Sequence, residues 1–352
     1  MNIKEFAQTI GVSTTTVSRA MHGRGRLSVA TRNMVLDRMK ELGFTPNLNA
    51  QRLSNGRTYM VALDFGVWHD YLSDMFFVEL TRGIQDALEA HEFGTVLSGP
   101  GQALNRWVKT RAVDGLIVVG SPADDRALHQ ISSAGTPCVV VGNRATAGIA
   151  QVGSVVVGLQ RGVKQVAQLL TERGHRRIGF LATDFLDDVC YEFRAALEAL
   201  GGSLPDSSIV LAGHSPGDGA RALCELLAQP DPPTAVFARS DGIAIGALRA
   251  CHRMKLRIPA DLSIIGHDDV SFAEWTEPPL TTVRVHSAEL GRLAADTLFD
   301  LMAEPETALE PRVVDTELVV RDSVAEPRLW ALSLPESVRL ASPQDAGGMA
   351  SA

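Results

Sequence analysis

Residues 2–23 read NIKEFAQTIGVSTTTVSRAMHG and residues 27–43 read LSVATRNMVLDRMKELG. Asn2 followed three positions later by Glu5 forms a capping box, after which Ile3, Phe6, Ala7 and Ile10 recur at helical spacing. Gly11 stops that helix, and Ser13 caps a second one from Thr14 to Met21, with Val17, Ala20 and Met21 facing inward. A third helix runs from a cap at Ser28 through Val35, Met39 and Leu42 to Gly43. Two short helices joined by a tight glycine turn and backed by a third make an all-α helix-turn-helix headpiece.

The charge distribution points the same way. Residues 1–58 carry nine Lys/Arg and three Asp/Glu, whereas the rest of the chain carries 24 and 38, within a net charge of −8. A basic head on an acidic body suits a module that binds a polyanion while the body is repelled from it. With the second helix in the major groove of double-stranded DNA, Thr14, Thr15 and Thr16 bring short hydroxyls to base edges, thymine methyls or phosphates. Arg19, one turn on, reaches guanine O6 and N7 with its planar fork. The competing reading is a plain three-helix bundle with a surface arginine.

At 352 residues the chain suits a small module plus a large one. Its 45% hydrophobic and 21% charged residues are those of a globular protein with a sizeable core. No apolar run reaches membrane-spanning length and the start MNIKEFAQTIG lacks the regions of a secretory signal, so a cytoplasmic protein without membrane contact is expected. Cys138, Cys190, Cys224 and Cys251 are far apart and form no CxxC, which favours reduced thiols over zinc or disulfides.

From Tyr59 the pattern changes to apolar runs alternating with amphipathic segments. Expected strands are Met60–Phe65, Gly94–Leu97, Gly115–Val119, Pro137–Val141, Arg177–Leu181, Ser208–Leu211, Ala235–Ala238 and Leu262–Ile265. Expected helices include Phe77–His91, Gly162–Arg173, Arg194–Leu200, Gly219–Ala228 and Gly242–Met254. Such alternation means an α/β body of parallel sheets with helices on both faces, and its length suggests two lobes with a ligand cleft at the carboxyl ends of the strands. Asp268 and His267, and likewise Ser240 and Asp241, sit just past buried strands, while Phe76 and Phe77 open the helix after the first strand and His214 follows another. Carboxylates there can accept bonds from sugar hydroxyls or a base edge, and aromatic faces can stack on a sugar or purine ring. The plainer alternatives make Asp241 a helix cap, one phenylalanine core and His214 a loop residue.

Catalysis is not expected. Gly217-Asp218-Gly219-x-x-Ala222 mimics a dinucleotide fingerprint, but Ala212–Pro216 separates strand from helix where a cofactor motif needs a tight turn. The acid pairs Asp124/Asp125, Asp187/Asp188 and Asp268/Asp269 are sequence neighbours, which point to opposite faces of a strand. No HExxH and no GxSxG occurs, so no catalytic residue, cofactor or metal is assigned.

IKEFAQTIGVSTTTVSRAMHG (3–23), LSVATRNMVLDRMKELGFTPN (27–47) and AQRL (50–53) resemble the lactose repressor/galactose repressor family of transcription regulators. VDGLIVVG (113–120), ERGHRRIGFL (172–181), RIPADLSIIGHDD (257–269), PPLTTVRV (278–285) and ELVVRDS (317–323) extend the resemblance through the body, to residue 323. It implies a sequence-specific regulator, expected to be a repressor, controlled by a small-molecule effector. By this resemblance Thr14, Thr15 and Arg19 read bases. Residues 47–55 form a hinge helix that orders on DNA, Asn47 and Ala50 contact DNA, and Leu53 is a wedge that kinks the duplex from the minor groove.

For the body the resemblance implies the periplasmic-binding-protein-like (type I) fold, with crossings between lobes near Val156, Val283 and Asp315. It also makes Phe76, Phe77, His214, Ser240 and Asp268 effector contacts. The expected organisation is 1–46 helix-turn-helix, 47–58 hinge and linker, 59–323 two-lobed effector and dimerisation domain, and 324–352 a flexible tail without a heptad pattern. Expected partners are a DNA operator, a second copy in a homodimer, and an effector that is most naturally a carbohydrate. The alternatives are a purine or nucleoside corepressor, or a solute-binding protein outside gene control. Two departures bear on the effector: Val189 stands where the resembling regulators often have an arginine, and Gly158 where they often have an aspartate. Ser98–Asn105 also looks shortened.

Overall fold

The computed structural model describes residues 1–22, 27–44, 56–66, 74–98, 104–120, 125–142, 149–183, 188–304 and 309–327. The chain forms two units, Met1–Tyr59 with Ala112–Asp114, and Met60–Arg111 with Gly115–Ala352.

In the first unit the helices are α1 (Ile3–Thr9), α2 (Thr14–His22) and α3 (Val29–Glu41). The Asn2 side chain accepts from the backbone N–H groups of Lys4 and Glu5 while Glu5 reaches back to the Asn2 N–H, closing the capping box. Ser13 and Ser28 accept from Thr16 and Thr31 in the same way. Gly11 turns the chain between α1 and α2 at φ +72°, a conformation that suits glycine. Phe6, Ala7, Val17, Ala20 and Val35 form the buried core. Leu42 is exposed: the chain reverses at Gly43 (φ +61°) and brings Phe44 back to stack on Phe6, with ring centroids 4.3 Å apart. Thr58 and Tyr59 are held by a polar clamp. Asp114 accepts from the Thr58 N–H and Tyr59 N–H, both at 2.8 Å, and from the Thr58 hydroxyl at 2.9 Å.

The second unit holds two six-stranded sheets. The first contains β1 (Met60–Asp64), β2 (Gly94–Ser98), β3 (Gly115–Val119), β4 (Cys138–Gly142), β5 (Val152–Gly158) and a late strand, Arg312–Asp315. The second contains β6 (Ile178–Ala182), β7 (Ile209–Leu211), β8 (Ala235–Ala238), β9 (Ser263–Asp268), β10 (Thr281–Arg284) and Glu317–Val319. With the late strands numbered β11 and β12, the orders are β11-β5-β4-β3-β1-β2 and β12-β10-β9-β8-β6-β7. Every pairing is parallel except β12 with β10. That exception follows from chain direction: β11 ends at the carboxyl edge of one sheet, and Thr316 alone separates it from β12, which enters the other sheet at the edge where the parallel strands end.

Helices α4 (Met75–Ala90), α5 (Asp125–Ser133), α6 (Leu159–Glu172), α7 (Asp188–Ala199), α8 (Pro216–Leu227), α9 (Asp241–Arg253) and α10 (Ser287–Ala303) complete the layers. α4 and α10 bury Leu80, Ile84, Leu88, Leu290, Ala294 and Leu298 against the first sheet. In the second, Val163, Val166, Leu170, Phe193 and Leu197 pack on one face, and Leu223, Leu226, Ile243 and Ala247 on the other.

The lobes interleave as expected. The crossings fall between Gly158 and Leu159, between Arg284 and Ser287, and at Thr316. They converge on Gly162, where a Cβ would lie 2.6 Å from Val283 Cγ1 and 2.7 Å from Thr316 Oγ1. Packing continues past Ser323: Val324 is buried, and His175 bonds the Ala325 carbonyl at 2.8 Å.

Candidate nucleic-acid interface and effector cleft

On α2 the buried residues Val17 and Ala20 hold the helix against its unit, leaving Thr14, Thr15 and Arg19 exposed. Thr15 and Arg19 are one turn apart and share a face. Thr16 is half-buried, and its hydroxyl lies 2.9 Å from Ser13 Oγ, inside the cap. Asn47, Ala50 and Leu53 lie outside the described residues.

The carboxyl edges of the two sheets carry the second constellation. Asp268 ends β9 at φ +120°, a backbone strained for any residue but glycine, and is 8% exposed. It lies 3.1 Å from His267 Nδ1 and accepts the Asp241 backbone N–H at the start of α9. Burial pushes its carboxyl well above the usual range. The Arg239 guanidinium pulls it back, while the charges of Asp74 and Glu79 push it further up. Asp74 caps α4 by accepting the Phe76 N–H at 2.9 Å; burial raises its carboxyl too, opposed by that bond and then by Arg239 and His214. The Ser271 N–H donates to Glu79 at 3.3 Å. Acids of the first lobe therefore face Arg239, His214 and Asp268 of the second.

The expected residues divide. His214 is exposed and within electrostatic reach of Asp74. Phe76 is half-buried, whereas Phe77 is 7% exposed and packs its edge against Phe65 and Phe76 in the first-lobe core. Ser240 caps α9 by accepting the Ile243 N–H. The alternative that gave Asp241 this role is therefore corrected: Asp241 is fully buried, takes the Thr282 hydroxyl and the Val270 N–H, and burial next to Asp268 holds its carboxyl well above the usual range. Asp74, Glu79 and Arg239 escaped the sequence reading. The placement of Asp74 two residues before Phe76, at the head of an amphipathic run, was the available signal for a cap.

The departures have structural addresses. Val189 is fully buried among Phe180, Phe193 and Phe237 on α7. Gly158 stands where α6 begins and where β5 pairs with Asp315 of β11. The dinucleotide-like glycines serve packing. Ser215 and Asp218 form a capping box, and a Cβ at Gly219 would lie 2.3 Å from the Ile243 carbonyl oxygen. Cys138 and Cys251 are buried free thiols, and burial pushes Cys138 up to about 12. Among the described residues no cluster of three or more His, Cys, Asp or Glu could hold a metal ion, and no helix is long and apolar enough to cross a membrane.

Residues 2–47 match the family model for bacterial regulatory proteins of the lacI family, and residues 167–324 match a periplasmic binding protein-like domain. The chain is 32% identical over 337 residues to the HTH-type transcriptional repressor CytR of Escherichia coli (strain K12), covering 91% of this chain and 95% of that one. It is 31% identical to a transcriptional regulator CelR solved as a cellobiose complex, covering 92% and 99% of the two chains with a TM-score of 0.69. The lac repressor dimer bound to operator and the anti-inducer ONPF is 23% identical with a TM-score of 0.76, covering 92% and 99%, a likeness of fold.

Proposed function

Because this chain belongs to the lacI family of bacterial regulatory proteins and is a DNA-binding transcription regulator rather than an enzyme, we propose that it is a repressor whose hold on its operator is set by a carbohydrate between the lobes of its body. The single observation that carries the DNA half is the exposed set Thr14, Thr15 and Arg19, on a helix whose other face is fully buried. Arg19 reads a base edge, Thr14 and Thr15 contact bases, and Thr16 takes part through the cap it shares with Ser13. Asn47, Ala50 and Leu53 belong to a hinge that touches the centre of the site. Residues 1–46 are the reading head, 47–58 the hinge and linker, 59–323 the effector and dimerisation domain, and 324–352 the tail. The protein works in the cytoplasm as a homodimer, one head per half-site.

The effector half is supported by the meeting of Asp74, His214, Arg239 and Asp268 at the carboxyl edges of the sheets, and by the relative that carries cellobiose. Phe76 and Ser240 border this space, and Phe77 supports Phe76 from behind. Effector binding changes the lobe angle and with it the DNA affinity, a coupling of typically ~1–3 kcal/mol.

The test uses duplexes selected by the full chain from a random library. Arg19→Ala is expected to lower discrimination between selected and random duplex by about 1–3 kcal/mol. Arg57→Ala is expected to weaken both equally and to reduce the salt slope by about one. Parent-like binding by both variants, or no salt-sensitive binding by the parent, would remove the assignment.

A further inference from the structure

At the carboxyl edge of the first sheet, β5 and β11 end side by side, with Gly158 registered against Asp315. The Asp315 side chain leans over its neighbour: its Oδ1 lies 2.6 Å from where a Cβ on residue 158 would stand. A Cβ and the carboxylate could not both keep these places, so a side chain at 158 would displace the Asp315 carboxylate from its present position. Gly158 is at φ −77° and ψ 84°, so no left-handed turn calls for a glycine there; its missing side chain leaves the room that the carboxylate takes.

The carboxylate is also uncommitted. Asp315 is exposed, and among the described residues its side chain makes no ion pair and no hydrogen bond. The nearby cation on the same strand, Arg312, is bound to Asp300 at 2.6 Å. The helix that starts at Gly158 does not use Asp315 as a cap; the Thr316 hydroxyl accepts the Gly162 N–H and donates to the Gly158 carbonyl. Asp315 directly precedes the third crossing, so it stands at the ligand-bearing edge of one sheet as Asp268 does at that of the other.

On the reading of the cleft proposed above, we infer that Asp315 is the first-lobe carboxylate that accepts hydroxyl groups of the effector, and that the effector is a neutral polyhydroxyl sugar rather than a sugar acid or phosphate. An ionised carboxylate only accepts hydrogen bonds, so its natural partners are hydroxyl donors, and bonds to a charged acceptor are the stronger kind. The charges already described agree: Asp74 and Asp268 both feel Arg239, Asp74 also feels His214, and Asp315 adds an exposed carboxylate at the end of β11. A sugar carboxylate or phosphate set beside the exposed Asp315 carboxylate would meet like charge, whereas a neutral polyol would not.

The experiment is calorimetric titration of the full chain with cellobiose, D-glucose, D-ribose, D-glucuronate and adenosine, on the parent and on Asp315→Ala, Asp315→Asn and Gly158→Asp/Asp315→Ala. A neutral sugar is expected to bind and glucuronate to fail at the same concentration. Asp315→Ala is expected to weaken that binding about 10- to 100-fold. Moving the carboxylate across the strand pair in the double variant is expected to recover affinity to within about threefold of the parent, since the group returns to the same volume. Asp315→Asn, nearly isosteric and at an exposed position, should melt like the parent and still bind more weakly.

Undiminished binding in both single variants would overturn the role of Asp315 and leave the cleft reading intact. Tighter binding of glucuronate than of any neutral sugar would overturn the neutral class. If only adenosine bound, the carbohydrate reading would fall, and the Asp315 variants would decide its role against the ribose hydroxyls. Binding by none of the five would overturn both readings.

Discussion

His175 shows how much one buried side chain can join. Its Nε2 lies 2.8 Å from the Ala325 carbonyl, which can only accept, so Nε2 carries a proton; Nδ1 lies 2.8 Å from the Thr234 hydroxyl, which also reaches the Arg177 carbonyl at 3.2 Å. The ring thereby ties the segment after β12 to Thr234, which directly precedes β8. Burial pushes its pKa below the ordinary histidine range, the Ala325 carbonyl opposes this, and the charge of Arg173 adds to it. Since the unfolded chain then binds the proton more readily, this residue stabilises the fold above about pH 6.5 and loses that contribution as pH falls toward its folded value. The raised carboxyls of Asp241 and Asp268 act with the opposite sign. The clean observable is therefore a difference: between about pH 7.5 and 5.5 the urea midpoint of the parent should fall more steeply than that of His175→Asn. Equal slopes would show that the ring does not titrate as described. The motif around His175 was visible as ERGHRRIGFL, but its role was not, because Thr234, Ser263 and Ala325 reach it from 59, 88 and 150 residues away.

Among elements, the helix pairs are decided by close approach. A Cβ on Gly83 of α4 would lie 1.9 Å from the Ala288 carbonyl oxygen of α10, and one on Gly291 would lie 2.1 Å from the Leu80 carbonyl oxygen. The two helices touch through reciprocal glycines, so backbone meets backbone. Gly83→Ala should cost ~1–3 kcal/mol in urea unfolding, because the obstacle is backbone rather than a side chain that can swing aside. A variant as stable as the parent would mean the helices can separate freely. α10 itself was absent from the expected helices. Its buried set mixes Gly291, Ala294, Ala295 and Thr297 with Leu290, Leu298 and Leu301, so its inner face contrasts weakly with its outer one. Strands β5 and β11 were missed for a similar reason. Ser154, Gly153 and Gly158 interrupt the apolar run of β5, and β11 is an edge strand with only Val314 buried. Helices with a steep contrast, such as α4 and α8, and the continuous apolar run of the fully buried β3 were readable directly.

For the whole molecule, the decisive feature is the knot of crossings around Gly162. Thr316 is fully buried there and links the third crossing to the first, donating to the Gly158 carbonyl at 2.8 Å. Thr316→Val should lower stability by about 1 kcal/mol, with Thr316→Ser retaining most of it, as read by urea unfolding of the full chain. A valine variant indistinguishable from the parent would deny the hydroxyl its bridging part. Local order was enough to determine the helix-turn-helix head, the α/β character of the body and the basic-to-acidic asymmetry, because caps, periodicity and charge act within a few residues of one another. Val189 in a core, Phe77 spent on packing, Asp241 buried instead of capping, and Asp315 leaning over Gly158 were decided only by the tertiary structure. Each depends on which strand lies beside which, and the three crossings set that by joining residues more than a hundred positions apart.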